Sequence, residues 1–146
     1  MALKASNWIH GTAAMVQTAS WGVTRVGKWS SVRPNKDLGS PVIHLAIPTP
    51  SVPTTRIRSA MVRLGTGSKT SLVDIDVWNG ENHLRNFLNT KTFPLGGDWF
   101  RFEFPTPMDV QWGVGISMKF KVDAPDQPDS EIRVIGAGAE FVTEPN

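Results

Sequence analysis

Apolar and polar residues alternate along much of this chain. In the clearest stretch, residues 110 to 122, every second residue is apolar and every residue between them is small or polar. A period of two is typical of a β-strand that has one face in the core. The apolar members, all expected to be buried, are Val110, Trp112, Val114, Ile116, Met118, Phe120 and Val122.

The same alternation predicts further strands. They are residues 42–47, 57–64, 71–78, 99–104 and 131–142, the last broken at Gly136 and Gly138, with shorter strands at 8–16, 23–29 and 83–88. In the 71–78 strand, the pattern places Val73, Ile75 and Val77 in the core and turns Leu72, Asp74, Asp76 and Trp78 outward. In the 8–16 strand, Trp8 is expected to be buried.

Turn-forming residues separate these strands, among a total of 13 glycines and 11 prolines. Asn79-Gly80 predicts a tight hairpin between the 71–78 and 83–88 strands. Pro-Thr-Pro follows both Ile47 and Phe104, and it is predicted to end strand pairing at both places because proline has no amide to donate. No segment combines a cap, an apolar face of period 3.6 and the length of a helix.

These patterns predict an all-β fold. Many short strands with regularly spaced turns are typical of a sandwich or a barrel. We expect an antiparallel β-sandwich, jelly-roll-like, with about eight or nine strands. The length of 146 residues predicts a single domain that spans 1–146.

Composition excludes several classes of protein. Lys and Arg number 15 and Asp and Glu number 13, and this net charge of +2 is too small for a nucleic-acid-binding surface. The densest basic stretch, with Arg56 and Arg58 on one face of a strand and Arg63 on the other, is interpreted as solvated arginines, with phosphate or polyanion binding as the alternative. The absence of cysteine excludes disulfides, thiol catalysis and zinc sites built on thiolates.

The chain carries no recognisable targeting or membrane segment. The first eight residues hold no continuous apolar stretch and no cleavage pattern, so they do not read as a secretory signal. No window reaches the roughly 18 apolar residues of a membrane span. A cytoplasmic location is therefore the default expectation, and export by a signal-less route is the alternative.

Acidic residues around the predicted hairpin form a candidate calcium site. Asp74 and Asp76 lie two positions apart and share one face of their strand. Asn79 and Glu81 follow in the turn, and such oxygen ligands are the kind that Ca²⁺ prefers. The spacing lacks the EF-hand pattern, and solvated or arginine-paired carboxylates are the commoner interpretation.

Tryptophans on the outer faces form a candidate ligand-binding surface. The chain has six tryptophans, of which Trp78 is predicted beside Asp74 and Asp76, and Trp99 beside Arg101. An exposed indole flanked by polar groups can stack on a sugar ring. The same residue types are enriched in the cores of protein interfaces, which favours burial of this surface by a partner subunit.

Histidine chemistry is a further alternative. The chain contains no Gly-x-Ser-x-Gly motif and no Ser-x-x-Lys motif. A catalytic constellation built from distant residues would use His10 or His44, placed near a carboxylate. Scattered histidines at strand edges usually satisfy local hydrogen bonds instead.

A set of short motifs, in order along nearly the whole chain, resembles a family of small bacterial all-β proteins of unassigned function. The motifs are Trp8-Ile9-His10-Gly11, Trp21-Gly22, His44 to Pro50 with its Ile-Pro-Thr-Pro, Val77-Trp78-Asn79-Gly80, Gly113-Val114-Gly115-Ile116-Ser117 and Gly136-Ala137-Gly138-Ala139-Glu140-Phe141. The resemblance implies a β-sandwich-type fold and carries over no catalytic residues.

The sequence favours a non-enzymatic β-sandwich binding or assembly module that forms a homo-oligomer, because oligomerisation is one way to cover sheet edges and apolar outer faces. The alternative is a lectin-like module that binds carbohydrate, with or without calcium. A small enzyme that uses His10 or His44 is the second alternative.

Overall fold

The computed structural model describes residues 3–17, 21–33, 40–123 and 129–143. These residues form eleven β-strands and one short 3-10 helix. In chain order they are β1 (Leu3–His10), the 3-10 helix (Gly11–Ala13), β2 (Met15–Val16), β3 (Gly22–Arg25), β4 (Ser30–Arg33), β5 (Val42–Ile47), β6 (Thr55–Thr66), β7 (Thr70–Asn79), β8 (Asn82–Lys91), β9 (Asp98–Asp109), β10 (Val114–Val122) and β11 (Ile132–Thr143).

The strands form two antiparallel sheets. The six-stranded sheet has the order β3-β4-β11-β6-β9, with β1 also paired to β11, and the five-stranded sheet has the order β2-β5-β10-β7-β8. Strand β6 follows one edge of β11, whereas β1 and β4 share the other edge: β1 pairs with residues 136–143 and β4 with residues 132–134. The predicted all-β sandwich is confirmed.

The strand number exceeds the predicted eight or nine for two reasons. Residues 8–16, predicted as one strand, divide into the end of β1, the 3-10 helix and β2. Strand β4 begins at Ser30, just after the predicted 23–29 strand, and was not predicted; it forms a hairpin with β3.

Alternating apolar residues from both sheets fill the core, as the pattern predicts. In β10, the buried residues are Val114, Ile116, Met118, Phe120 and Val122, and in β5 they are Ile43, Leu45 and Ile47. Phe102 and Phe104 of β9 and Ile132, Val134 and Phe141 of β11 close the core from the six-stranded sheet. Full burial of one such side chain stabilises the fold by about 1.5–3 kcal/mol.

Two tryptophans expected in the core lie at the surface. Trp112 is 72% exposed because β10 begins only at Val114, and the preceding turn contains Gly113 with φ +102°. Trp8 is 47% exposed because it lies on the outer face of β1, where its ring covers Gly138. For Trp112, the error came from extending the alternation of β10 into the preceding turn; for Trp8, it came from the choice of face.

Bulges also shift the predicted faces of two strands. Pairing of β7 changes register between Leu72 and Asp74, and Leu72 is fully buried rather than outward. Pairing of β6 changes register between Ile57 and Ser59. Arg63 alternates with the buried residues of β6, so it lies on the same outer face as the other β6 arginines rather than on the opposite one.

Strands β9 and β11 continue through residues predicted to interrupt them. The Pro-Thr-Pro at 105–107 lies inside β9, opposite an irregularity in β6, whereas the triplet at 48–50 does follow the end of β5. Gly136 and Gly138 lie within β11 and pair with β1. In the described part of the chain, no helix has the length and hydropathy needed to cross a membrane.

Candidate functional site

The outer face of the five-stranded sheet carries a row of side chains centred on Trp78. Antiparallel register places Ala46 of β5, Gly115 of β10, Trp78 of β7 and His83 of β8 side by side. The rings of Trp78 and His83 meet edge to face, with centroids 4.9 Å apart. This surface, together with the neighbouring row described below, is called the Trp78 face.

A trough lies beside the indole of Trp78. Gly115 has no side chain and Ala46 has only a methyl group, so the sheet surface next to the ring stays low. The depression has a volume of about 510 Å³, and Ile9 and Met15 are among the residues that line it. The trough therefore offers an apolar wall, formed by an aromatic ring, next to open backbone.

A second row of the Trp78 face supplies hydrogen-bonding groups. It crosses the sheet through Met15, His44, Ser117, Asp76 and Asn86. Nδ1 of His44 lies 2.7 Å from Oγ of Ser117, and Nε2 lies 2.8 Å from Oε1 of Gln17. The imidazole is thus held at both nitrogens by neutral groups.

The two carboxylates of the Trp78 face are held by neighbours on β8. Nδ2 of Asn86 donates to Oδ1 of Asp76 at 2.8 Å and also to Oδ1 of Asp74. Nε2 of His83 lies 2.8 Å from the same oxygen of Asp76. One amide therefore bridges the two carboxylates, and this side of the face presents fixed hydrogen-bond acceptors.

The hairpin turn at the end of the Trp78 face does not join the carboxylates in a single cluster. Oδ1 of Asn79 accepts hydrogen bonds from the backbone amides of Gln111 and Trp112, at 3.0 and 2.8 Å. Glu81 lies in the turn and lines a separate depression with Asn82 and Trp112. Among the described residues, no three acidic, histidine or cysteine side chains are placed to hold a metal ion together.

The predicted ligand-binding residues are split between the two sheets. Trp78, Asp74 and Asp76 lie together on the five-stranded sheet, whereas Trp99 and Arg101 lie on β9 of the six-stranded sheet. Trp99 is 46% exposed, as expected for an outward residue. Arg101 bonds Oε2 of Glu140 at 2.9 Å.

The two histidines of the enzyme hypothesis lie on strands of different sheets. His44 has Ser117 and Gln17 as its hydrogen-bond partners, and neither supplies a carboxylate. His10 ends β1, on the six-stranded sheet, and its Nδ1 lies 3.1 Å from the backbone amide of Thr12. Their placement brings neither one next to an acidic partner among the described residues.

Several residues of the Trp78 face were missed from the sequence. Gly115 and Ser117 come from β10, whose pairing with β7 and β5 cannot be read from local spacing. His83 lies just across the hairpin, and counting outward from Asn79-Gly80 could have placed it opposite Trp78. The same count does not place Asn86 opposite Asp76, because the register shifts between Val77 and Trp78.

Together, fold and site define a β-sandwich protein with a polar, aromatic outer face. The chain belongs to a family of unknown function, DUF6623, whose profile matches residues 3–144. This agrees with the resemblance noted from the motifs. No curated protein matches the sequence.

Solved structures with a similar fold include a cyclase from Fischerella sp. TAU in complex with 4-(1H-indol-3-yl)butan-2-one, at a TM-score of 0.53 and 10% identity, covering 95% of this chain and 91% of that one. A family 35 carbohydrate-binding module from Clostridium thermocellum has a TM-score of 0.47 and 10% identity, covering 94% and 97%. A family 29 module from Piromyces equi has a TM-score of 0.47 and 11% identity, covering 95% and 90%. At these identities the likeness concerns the fold alone.

Proposed function

We propose that the protein is a non-enzymatic binding module that takes a neutral carbohydrate on the Trp78 face. The observation that carries the proposal is the position of Trp78, whose indole borders an open trough and lies one row from fixed polar groups. A pyranose ring has an apolar face of C–H groups and an edge of hydroxyls, so it needs both kinds of surface side by side.

Stacking would supply the apolar contact. Gly115 and Ala46 leave room beside the indole of Trp78, and the trough volume of about 510 Å³ admits more than one sugar ring. Mostly apolar walls suit the C–H face of a pyranose. A ligand ring in the trough would then lie between the indole of Trp78 and the side chain of Met15.

Hydrogen bonds would supply orientation. Asp74 and Asp76 are acceptors, and sugar hydroxyls are donors that match them. Both carboxylates are held by Asn86, which reduces the entropy lost when a ligand binds. Two carboxylates also disfavour acidic sugars by like-charge repulsion, so the expected ligand is neutral.

Binding to an array of neutral oligosaccharides, followed by calorimetry with the strongest binder, tests this proposal. Trp78→Ala should weaken binding about tenfold or more, equivalent to about 1.4 kcal/mol. Trp99→Ala removes the same side chain from the opposite sheet and should leave this affinity unchanged. An array without any binding, or equal losses in the two variants, would contradict the proposal.

A second variant blocks the trough without removing the indole. A Cβ at Gly115 would lie 3.8 Å from Cβ of Trp78, an ordinary contact, so the strand tolerates a side chain there. Gly115→Val should fill the trough and abolish binding while the unfolding transition stays cooperative. Gly115→Ala, with a smaller side chain, should keep part of the affinity.

Calcium dependence stays a prediction, and the same titration tests it. Binding in the presence of excess CaCl₂ is compared with binding after EDTA treatment. Loss of affinity in EDTA, reversed by added calcium, would assign a metal to Asp74 and Asp76. Equal affinities would leave the carboxylates as direct acceptors for sugar hydroxyls.

Self-association also stays a prediction. Leu72, which was expected to contribute to an exposed packing surface, is buried in the core, whereas Trp99 is exposed on the six-stranded sheet. Light scattering at micromolar concentration measures the mass directly. A mass of 16.0 kDa would contradict a homo-oligomer.

A further inference from the structure

A separate pocket lies on the outer face of the six-stranded sheet. It has a volume of about 320 Å³, and the lining residues that matter here are Trp8, His10, Arg63 and Trp99, with Gly136 at the base. Antiparallel register brings them together, since His10 pairs with Gly136, Gly136 with Arg63, and Arg63 with Trp99. This surface is called the Arg63 pocket.

Two indoles form one corner of the Arg63 pocket. The rings of Trp8 and Trp99 have centroids 5.2 Å apart and meet at 73°. They are 47% and 46% exposed, so each keeps an open surface. An edge-to-face pair of half-exposed rings can contact a planar or chair-shaped ring on two sides.

Arg63 brings a positive charge to the pocket. Its guanidinium carbon lies 5.5 Å from the centroid of Trp99. Its Nε is covered and has no hydrogen-bond partner, and no carboxylate of the described residues forms an ion pair with it. A partly buried cation with no carboxylate beside it favours an anionic ligand, which would neutralise its charge.

His10 adds a second donor. Its Nδ1 accepts a hydrogen bond from the backbone amide of Thr12 at 3.1 Å, so in the neutral ring the proton is on Nε2. Among the described residues, Nε2 has no hydrogen-bond partner. The imidazole therefore presents an N–H donor to a ligand.

Among the residues that the structure describes, none that lines the Arg63 pocket is acidic. Glu140, two rows away on the same face of the sheet, is paired with Arg101. The pocket thus combines two hydrogen-bond donors, one of them charged, with two aromatic walls and no acidic group. This is the reverse of the Trp78 face, which carries carboxylate acceptors.

We propose that the Arg63 pocket is a second binding site, for a six-membered ring that carries a carboxylate. The rings of Trp8 and Trp99 contact the ring of the ligand, and Arg63 and His10 bind its carboxylate. A uronic acid and an aromatic acid share this chemistry. The site lies on the other sheet from Trp78 and does not depend on the function proposed for that face.

Calorimetric titration of the full chain with glucuronate, glucose and benzoate tests the inference at equal pH and ionic strength. Glucuronate and benzoate distinguish the two sources of the ligand, and glucose is the neutral control. We expect at least one acid to bind about tenfold more tightly than glucose, because hydrogen bonds to charged groups are the stronger ones. Preference for glucuronate would identify the ligand of the pocket as a sugar acid, and preference for benzoate would identify it as an aromatic acid.

Charge-matched variants test the assignment to this pocket. Arg63→Gln should reduce the affinity for the acid about tenfold. Arg58→Gln removes the same charge from the same strand, outside the pocket, and should leave the affinity unchanged. Trp78→Ala should also leave it unchanged, which separates this site from the Trp78 face.

Three outcomes would overturn the inference. They are equal affinity for glucuronate, benzoate and glucose; equal effects of Arg63→Gln and Arg58→Gln; and no binding of any acid. If light scattering then shows a dimer, the last result would assign the tryptophan corner to contact with a second copy of the chain.

Discussion

The side chain of Asn79 holds the backbone of Trp112. Its Oδ1 accepts the Trp112 amide at 2.8 Å and the Gln111 amide at 3.0 Å, joining the β7–β8 hairpin to the loop before β10. Asn79 is buried, whereas Trp112 is 72% exposed. A buried acceptor therefore fixes the backbone of the most exposed tryptophan.

Replacing Asn79 by alanine should destabilise the protein by about 1–3 kcal/mol, because two backbone amides lose their acceptor. The midpoint of urea unfolding measures the change. Asn82→Ala, made in the same hairpin at an exposed position, should alter the stability by less than about 0.5 kcal/mol. Equal effects of the two substitutions would show that the Asn79 amide is not a structural clamp.

Much of the fold was predictable because period two persists wherever a strand has one face in the core. The alternating residues of β5 and β10 are buried as expected. Errors arose at irregularities that leave no local signal. One bulge, in β7, turns Leu72 inward, and another, in β6, places Arg63 on the face opposite to the predicted one. The turn before β10 leaves Trp112 exposed to solvent.

The candidate site was predictable only in part. Trp78, Asp74 and Asp76 share a face because they alternate on one strand, and this needs no tertiary information. The sequence does not show that Trp99 and Arg101 lie on the other sheet, because the outer face of a strand does not reveal which sheet holds that strand. The neighbours that β10 brings to this site, Gly115 and Ser117, depend on its pairing with β5 and β7. Such long-range pairing leaves no local pattern in a single sequence.

The Glu131 side chain is buried, and its pKa should make stability depend on pH. Burial acts to raise the pKa of Glu131, but the Ser31 hydroxyl and the Arg133 guanidinium outweigh it and hold the pKa below 4.5. A carboxylate with a lowered pKa contributes stability above its unfolded-state pKa and loses that contribution as pH falls through the folded-state value. We therefore expect stability to decline in acid, below pH 4.5.

Urea unfolding between about pH 7 and pH 3 measures this decline. Glu131→Gln keeps the shape and removes the charge, so its stability should depend less steeply on pH in the acid range. Glu103→Gln, at a side chain that is 65% exposed, should keep the acid dependence of the parent chain. Parallel curves for the parent chain and Glu131→Gln would contradict the role of this carboxylate.

Gly11 allows the 3-10 helix to approach β11. A Cβ at this position would lie 1.7 Å from the carbonyl oxygen of Val134, and backbone atoms cannot move aside as a side chain can. Gly11→Ala should cost more than about 3 kcal/mol, beyond the usual range for overpacking. Gly22→Ala, with no atom within 4 Å of the added methyl group, should change the unfolding midpoint little.

Gly138 allows the ring of Trp8 to lie flat on β11. A Cβ there would lie 2.3 Å from Cε3 of Trp8, and because this ring is partly exposed it can swing into solvent. Gly138→Ala should therefore cost about 1–2 kcal/mol, at the lower end of the range for overpacking, and should break the contact between Trp8 and Trp99.

A double-mutant cycle distinguishes this displacement from a general effect of alanine on the strand. Once Trp8→Ala has removed the ring, Gly138→Ala should cost less than it does in the parent chain, giving a coupling free energy of about 0.5 kcal/mol or more. Urea unfolding of the four chains measures it. Additive costs would mean that the methyl group strains β11 itself. A smaller cost of Gly138→Ala in the Trp8→Ala chain would mean that the glycine supports the tryptophan corner of the Arg63 pocket. Gly138→Ala should then also weaken binding of the acid.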